Sequence, residues 1–179
     1  MTADKKTFGS GFCKREIERK FLIEYPDIAV LSSQNGVKIK KITQTYLESG
    51  EHASERVRKI TDADGTESFV YTKKTRVSDI TSLEEECEIS RGQYEEYLKR
   101  ADKNRRAVEK VRYAFPCGSH VAEIDIYGFW RDRAILETEL EAEDEEFEIP
   151  PFVCVIKEVT HDMRYKNACL ARSVVFEEI

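Results

Sequence analysis

Charged and apolar residues alternate along most of this chain. Glu16, Glu18 and Lys20 are separated by single residues, and the apolar Ile17 and Phe21 lie between or beside them. Residues two apart share a face on a strand but not on a helix. The same alternation recurs towards the C-terminus, so the pattern predicts a series of strands that each carry charge on one face and apolar side chains on the other.

The charged positions recur at this spacing in six further segments: Arg56 with Arg58, Lys74 with Arg76, Glu84 with Glu86 and Glu88, Lys110 with Arg112, Glu123 with Asp125, and Glu137 with Glu139. The apolar face of each strand should pack against a core. The charged face then either meets bulk water or lines the inside of a closed antiparallel barrel, where it would form a charged channel.

The boundaries of these patterns predict an α+β fold that is mainly antiparallel β. Asp62–Gly65 is an Asp-Gly turn of the kind that joins two strands of a hairpin, and Ser90 is a typical helix N-cap. The predicted strands cover 15–24, 41–48, 54–61, 66–76, 82–90, 107–116, 120–128, 134–142 and 152–160, and the predicted helices cover 27–31, 91–104 and 164–172. Residues 1–14 are interpreted as a flexible tail, and 15–179 as one domain.

Composition narrows the choice of partners. Charged residues make up 36% of the chain and the net charge is −6, which argues against nucleic acid as the main partner. The ordered basic pairs could still bind a small anion. The five cysteines include no CxxC pair, and there is neither an apolar run of about 18 residues nor a secretion signal. We therefore expect a cytoplasmic protein with reduced thiols and no membrane partner.

The paired charged residues are the candidates for binding metal ions and phosphate. Two carboxylates on one strand face repel each other unless cations lie nearby, and hard cations such as Mg²⁺ and Mn²⁺ prefer such oxygen ligands. Arginine and lysine pairs are typical binders of phosphate. For any single pair, a solvated sheet face with cross-strand ion pairs is the more common explanation, and only the joint pattern over the strands favours an interior channel to a comparable degree. The chain has no Gly-rich phosphate loop, and its three histidines are not at metal-ligand spacing.

Nine segments in order resemble the motifs of the CYTH family, also called triphosphate tunnel metalloenzymes. They are 16–20 (EIERK), 44–47 (QTYL), 56–58 (RVR), 72–74 (TKK), 84–89 (EEECEI), 110–113 (KVRY), 123–125 (EID), 137–140 (ETEL) and 158–167 (EVTHDMRYKN). The resemblance covers about 15–172. The chain departs from the family pattern where Ser82-Leu83 replace a basic residue expected before the acidic triplet.

The resemblance implies an eight-stranded antiparallel tunnel with a charged lumen, a few covering helices, and Mg²⁺ or Mn²⁺ as cofactor. It implies that the metal is held by Glu16, Glu18, Glu137 and Glu139. Phosphate oxygens would be bound by Lys20, Arg56, Arg58, Lys74, Arg76, Lys110, Arg112 and Arg164, of which Lys20, Arg56, Arg58 and Lys74 would be catalytic. Supporting carboxylates would be Glu86, Glu88, Glu123 and Asp125. We expect Lys74 rather than Lys73 to face inward, because it shares parity with Thr72 and Arg76.

The function that this resemblance favours is metal-dependent hydrolysis of inorganic triphosphate to phosphate and pyrophosphate, with a triphosphate-containing small molecule as the partner. The alternatives are thiamine or nucleoside triphosphatase activity, a class IV adenylate cyclase, and a non-catalytic polyphosphate-binding module. A β-rich domain whose charged face meets water also remains open. A homodimer is compatible with the sequence, although no segment indicates an interface.

Overall fold

The computed structural model describes residues 12–50, 53–78 and 81–177. The predicted tail falls mostly outside these ranges, and the first strand begins at Phe12. The described strands are β1 (Phe12–Glu24), β2 (Lys38–Tyr46), β3 (Ala53–Asp62), β4 (Glu67–Arg76), β5 (Thr81–Glu88), β6 (Val108–Cys117), β7 (His120–Tyr127), β8 (Arg133–Leu140) and β9 (Val155–Glu158). The described helices are α1 (Ile28–Ser32), α2 (Arg91–Leu98), a 3₁₀ helix (Met163–Tyr165) and α3 (Asn167–Leu170).

The sheet closes on itself as an eight-stranded antiparallel barrel. The strands follow the order β5-β4-β3-β2-β6-β7-β8-β1, and β5 pairs again with β1. The long strand β1 makes this closure, because it pairs with β5 up to Ile17 and with β8 from Ile17 onwards. The predicted tunnel fold is therefore confirmed, and the alternative of an open sheet with one face in water is wrong. No helix within the described ranges has the length and apolar composition needed to cross a bilayer.

The predicted hairpin and helix start are present. Between β3 and β4 the Asp62 amide donates to the Thr66 carbonyl, and Gly65 takes a φ of 86°, which a residue with a Cβ rarely adopts. At the start of α2, Ser90 Oγ accepts from the Gln93 amide while the Gln93 side chain accepts from the Ser90 amide. This reciprocal capping box fixes the helix start at the predicted position.

Helix α2 ends at Leu98, six residues before the predicted end at 104. The chain leaves the helix because its backbone pairs with the end of β2 instead: Ala101 bridges Leu47, and the Asp102 amide donates to the Tyr46 carbonyl. Helical periodicity in the sequence cannot report this competition, since the partner strand lies more than fifty residues earlier in the chain.

The C-terminal elements are shorter than predicted. Strand β9 covers only Val155–Glu158, where it pairs with Phe21–Ile23 of β1. The predicted helix 164–172 is broken at Lys166, whose ψ of 137° is extended and separates the 3₁₀ helix from α3. Lys166 therefore lies in a bend between two short helices, and its side chain does not point where a continuous helix would direct it.

Two apolar layers cover the outside of the barrel. One lies on β1, β6, β7 and β8 and includes Ile17, Phe21, Ile124 and Leu136; helix α1 and residues 147–153 pack over it. The other lies on β3 and β4, where helix α2 packs Tyr94 against Phe69 with ring centroids 4.9 Å apart. These layers confirm the predicted outward direction of the apolar face.

A third apolar cluster lies inside the barrel, which the alternation of charges did not predict. Leu22, Tyr127 and Ile135 have the same strand parity as Lys20, Asp125 and Glu137, yet they pack against Trp130, Tyr165 and Leu170. The lumen is therefore apolar at one end, where the C-terminal segment covers it. Ile42, Ile60 and Val70 form a further buried apolar cluster with inward parity, so the charged part is a stretch of the remaining lumen.

Candidate active site

The charged part of the lumen is a cavity of about 760 Å³, here called the central cavity. The strands bring most of the predicted site residues to its wall. They are Glu16, Glu18, Lys20, Arg56, Arg58, Lys74, Arg76, Glu86, Lys110, Arg112, Glu123, Glu137 and Glu139. Lys74, the inward choice made from parity, is among them, whereas Lys73 is not. The common position follows from strand geometry, because alternate residues of a barrel strand point inward.

Strands β1 and β8 place carboxylates opposite one another. Glu18 is directly paired with Glu139, and Lys20 with Glu137. Glu18 is 3.7 Å from Lys20 Nζ and 3.6 Å from Lys166 Nζ, and its oxygens have no hydrogen bond among the described residues. Directly opposed like charges destabilise a sheet pair. A cation between them would remove that repulsion.

The donor set fits a hard divalent cation by its chemistry. It consists of carboxylate oxygens, and those of Glu18 are free of hydrogen bonds, which leaves lone pairs available. In the described part of the chain no three acidic, histidine or cysteine side chains already converge as a metal-binding group. Glu16 and Glu139 instead contact Lys74 and Lys14, each with an N–O distance of 2.5 Å.

Strands β3 and β4 contribute arginines and a lysine to the cavity wall. Arg56 Nη2 donates to Glu84 at 3.2 Å, and Arg58 donates to Glu86 and, at 3.3 Å, to Thr72. Burial, followed by the charge of Arg56, lowers the pKa of Arg58 to about 10. Arg58 therefore stays charged at neutral pH. Each of these two arginines is held by a carboxylate from β5.

A buried ion network joins β6, β7, β8 and β1. Arg112 donates to Asp125 through Nε at 2.7 Å and Nη2 at 2.6 Å, and also to Glu137 at 2.7 Å and to Glu123. Lys20 lies 2.5 Å from Glu137. Burial opposes the ionisation of Glu137, but the nearby positive charges outweigh it and hold the pKa of Glu137 well below its usual range.

The same network keeps Lys20 charged. Its side chain is only 2% exposed, and burial disfavours the ammonium form. The charges of Glu137 and Glu18 outweigh that effect and raise the pKa of Lys20 above its usual value. Lys20 is therefore a cation that can bind an anion, and not a proton acceptor at neutral pH.

Three predicted site residues lie elsewhere. Asp125 is 0% exposed, beneath the cavity wall, where it anchors Arg112 and Lys110. Glu88 is exposed at the end of β5 and does not line the cavity. Arg164 is also outside it, because its guanidinium is held by Asp162 at 2.6 Å and by Glu177. Parity and motif position alone could not distinguish these places from the lumen.

The cavity also has lining residues that the sequence analysis did not assign. Arg105 precedes β6, and Lys166, Asn167 and Arg172 come from the C-terminal turn and helix. These four residues lie on no barrel strand, so the alternation along the strands could not predict that they line the cavity. Lys166 and Asn167 fall inside the closing motif, which was the only hint in the sequence.

A closed antiparallel barrel with opposed glutamates and a set of inward lysines and arginines defines the class of charged-tunnel barrels. The family model for the CYTH domain matches residues 14–168 of this chain. The chain therefore belongs to the CYTH family, as the motif resemblance indicated.

Named relatives support this assignment. An inorganic triphosphatase of Nitrosomonas europaea is 35% identical over 166 residues, which cover 89% of this chain and 98% of that protein. A solved structure of an inorganic triphosphatase is 30% identical and has a TM-score of 0.56. The match covers 88% of this chain and 98% of the chain in that structure. A conserved hypothetical protein from Pyrococcus furiosus shares the fold. It is 18% identical and has a TM-score of 0.52, and the match covers 68% of this chain and 77% of that protein's chain.

Proposed function

We propose that this protein hydrolyses inorganic triphosphate to phosphate and pyrophosphate with the help of Mg²⁺ or Mn²⁺. The observation that carries the proposal is that one cavity brings together two sets of charges. Opposed carboxylates of β1 and β8 line it together with inward arginines and lysines, mainly from β3, β4 and β6. A metal–triphosphate complex carries the matching charges. The relatives named as inorganic triphosphatases support the choice of substrate.

The cations would bind the phosphate chain. Phosphoryl transfer spreads negative charge over the equatorial oxygens of the transferred group, so fixed positive charges stabilise its transition state. Arg56, Arg58 and Lys74 now contact Glu84, Glu86 and Glu16. On binding, phosphate oxygens would replace these carboxylates as hydrogen-bond acceptors. Lys20 would add a positive charge, which Glu137 and Glu18 maintain against the effect of burial.

The cation would be held by Glu16, Glu18, Glu137 and Glu139. When bound, a divalent cation supplies charge neutralisation and makes water more acidic. The inward arginines and lysines would attract the phosphate chain, and among them Lys20 lies directly beside Glu137. Water would attack the terminal phosphorus in line with the leaving pyrophosphate.

A substrate panel tests the reaction. Purified protein with Mg²⁺ or Mn²⁺ should release phosphate and pyrophosphate from tripolyphosphate, and a chelator should stop the release until metal is restored. Cyclic AMP with pyrophosphate from ATP would instead identify a cyclase. Preferred release from thiamine triphosphate or ATP would identify the alternative triphosphatases. No product from any of them, with retained binding of tripolyphosphate, would identify a binding module.

Arg58→Ala should weaken the use of tripolyphosphate. Loss of a charge-assisted hydrogen bond of roughly 1.5–3 kcal/mol predicts a fall in kcat/KM of about 10- to 100-fold, seen as a higher KM, a lower kcat or both. Steady-state kinetics measure this change. Arg19→Ala is the matched control, because Arg19 pairs with Glu158 on the outer face of β1. Kinetics unchanged from wild type would remove Arg58 from the site.

A further inference from the structure

Arg105 differs from the other cations around the central cavity. It lies in the segment between α2 and β6, and the backbone on either side is fixed. The Asp102 amide donates to the Tyr46 carbonyl, and the Arg106 amide donates to the Ala171 carbonyl. The segment is therefore tied to both the end of β2 and the C-terminal cover. Its position brings the Arg105 side chain to the cavity wall.

The guanidinium of Arg105 has unused donors. Its side chain is 14% exposed, and Nε lies 3.1 Å from Asp102 Oδ2 without the alignment of a hydrogen bond. Nη1 is buried and has no hydrogen-bond partner among the described residues. Unpaired buried donors are costly. Arg56 and Arg58 also have a buried Nε without a partner, but each of them, like Arg112, donates through Nη2 to a carboxylate. The Arg105 guanidinium makes no such hydrogen bond among the described residues.

Arg105 also covers the aromatic ring of Tyr46. Its Cζ lies 5.0 Å from the ring centroid. Tyr46 is the one aromatic side chain among the described residues that line the central cavity. A nucleobase or a thiazolium ring entering the cavity would be stabilised by stacking on an aromatic face. With the guanidinium in place, that face is already occupied by a cation.

We propose that Arg105 is a specificity-determining residue that selects inorganic polyphosphate over triphosphates carrying an organic group. The unused N–H groups of Arg105 bind oxygens of the terminal phosphate group of the substrate. The guanidinium also covers the face of Tyr46, so an organic ring cannot stack there. This inference rests on the proposed function, since it concerns the same cavity. It assigns a role to a residue that lies on no barrel strand.

The test compares Arg105→Ala, Arg105→Lys and the control Arg106→Ala. Arg106 is adjacent in sequence, exposed, and does not line the central cavity. Affinities for tripolyphosphate and ATP are measured by calorimetry with EDTA present, where turnover does not occur, and kcat/KM for both is measured with Mg²⁺. Thermal unfolding checks that each variant folds.

Arg105→Ala is expected to weaken binding and use of tripolyphosphate by about 10- to 100-fold, the loss of one charge-assisted interaction. ATP should change by less than about threefold or bind more tightly, so the preference for tripolyphosphate falls by at least about tenfold. Arg105→Lys keeps the charge but not the planar fork, and should lie between Arg105→Ala and wild type. Arg106→Ala should behave as wild type.

The outcomes separate this inference from the proposed function. If wild type releases no phosphate but Arg105→Ala still loses affinity for tripolyphosphate in EDTA, hydrolysis is wrong and the role of Arg105 stands. Equal losses for tripolyphosphate and ATP, or no loss for either, overturn the role of Arg105 whatever wild type hydrolyses. A variant with a lowered melting temperature and an unchanged preference also overturns it, because it shows a purely structural role.

Discussion

Glu18→Gln is expected to abolish metal-dependent phosphate release and to leave the fold intact. The carboxylate of Glu18 faces Glu139 across β1 and β8, and its oxygens are free of hydrogen bonds among the described residues. The amide keeps the shape of the side chain but loses the charge that a hard cation requires. A metal and the charges it stabilises contribute several kcal/mol to such reactions, so the expected loss in kcat is at least about 100-fold.

The measurement is phosphate release from tripolyphosphate over a range of Mg²⁺ concentrations, together with a titration of Mn²⁺ into wild type and variant. The titration reports metal binding without relying on turnover. Glu24→Gln is the matched control, because Glu24 is exposed at the end of the same strand and does not line the cavity. Stability should change little, since Lys20 keeps its 2.5 Å contact with Glu137. Full turnover by Glu18→Gln at wild-type metal affinity would contradict the assigned metal site.

Arg112→Met is expected to cause the largest loss of stability. Arg112 donates to Asp125, Glu123 and Glu137, and Asp125 is fully buried. Methionine preserves the apolar stem of the side chain but leaves three carboxylates without their shared partner. Removing one member of a buried ion pair typically costs about 3–5 kcal/mol. For a domain of this size we expect the melting temperature to fall by roughly 6–20 °C.

Thermal and denaturant unfolding without substrate measure this effect. Lys99→Met is the control, because Lys99 pairs with Glu96 at a site where both side chains are largely exposed. Exposed pairs of this kind contribute roughly 0–1 kcal/mol. If Arg112→Met unfolds within about 1 kcal/mol of wild type, the buried network does not stabilise the barrel in the way described. Lys110 and Lys20 would then suffice to compensate the carboxylates.

Many of the residues that line the central cavity could be predicted from the two-residue alternation of the strands. The positions of Glu16, Arg58 and Lys74 in the lumen follow from alternation along single strands, as does the outward packing of Phe21. Such alternation is a property of the local backbone, and therefore it can be read from neighbouring residues. The hairpin at Gly65 and the cap at Ser90 are equally local.

The inward or outward parity of a residue does not predict whether its position along the lumen lies in the charged cavity or beyond it. Leu22 has the inward parity of Lys20, yet it belongs to the apolar end beneath Trp130 and Tyr165. Glu88 has the inward parity of Glu86, yet only Glu86 lines the cavity, because Glu88 is the last residue of β5. Where a strand leaves the cavity is set by the stagger of the strands, which depends on pairing between distant segments.

The sequence by itself determined the strands, the charge of their inner faces and membership of the CYTH family, because these rest on local periodicity and ordered motifs. Only the tertiary structure decided which residues outside the strands reach the cavity. It placed Arg105 and Lys166 at the wall and Arg164 beyond it. The physical reason is that loop positions depend on backbone pairing and packing between segments far apart in the chain, such as Arg106 with Ala171.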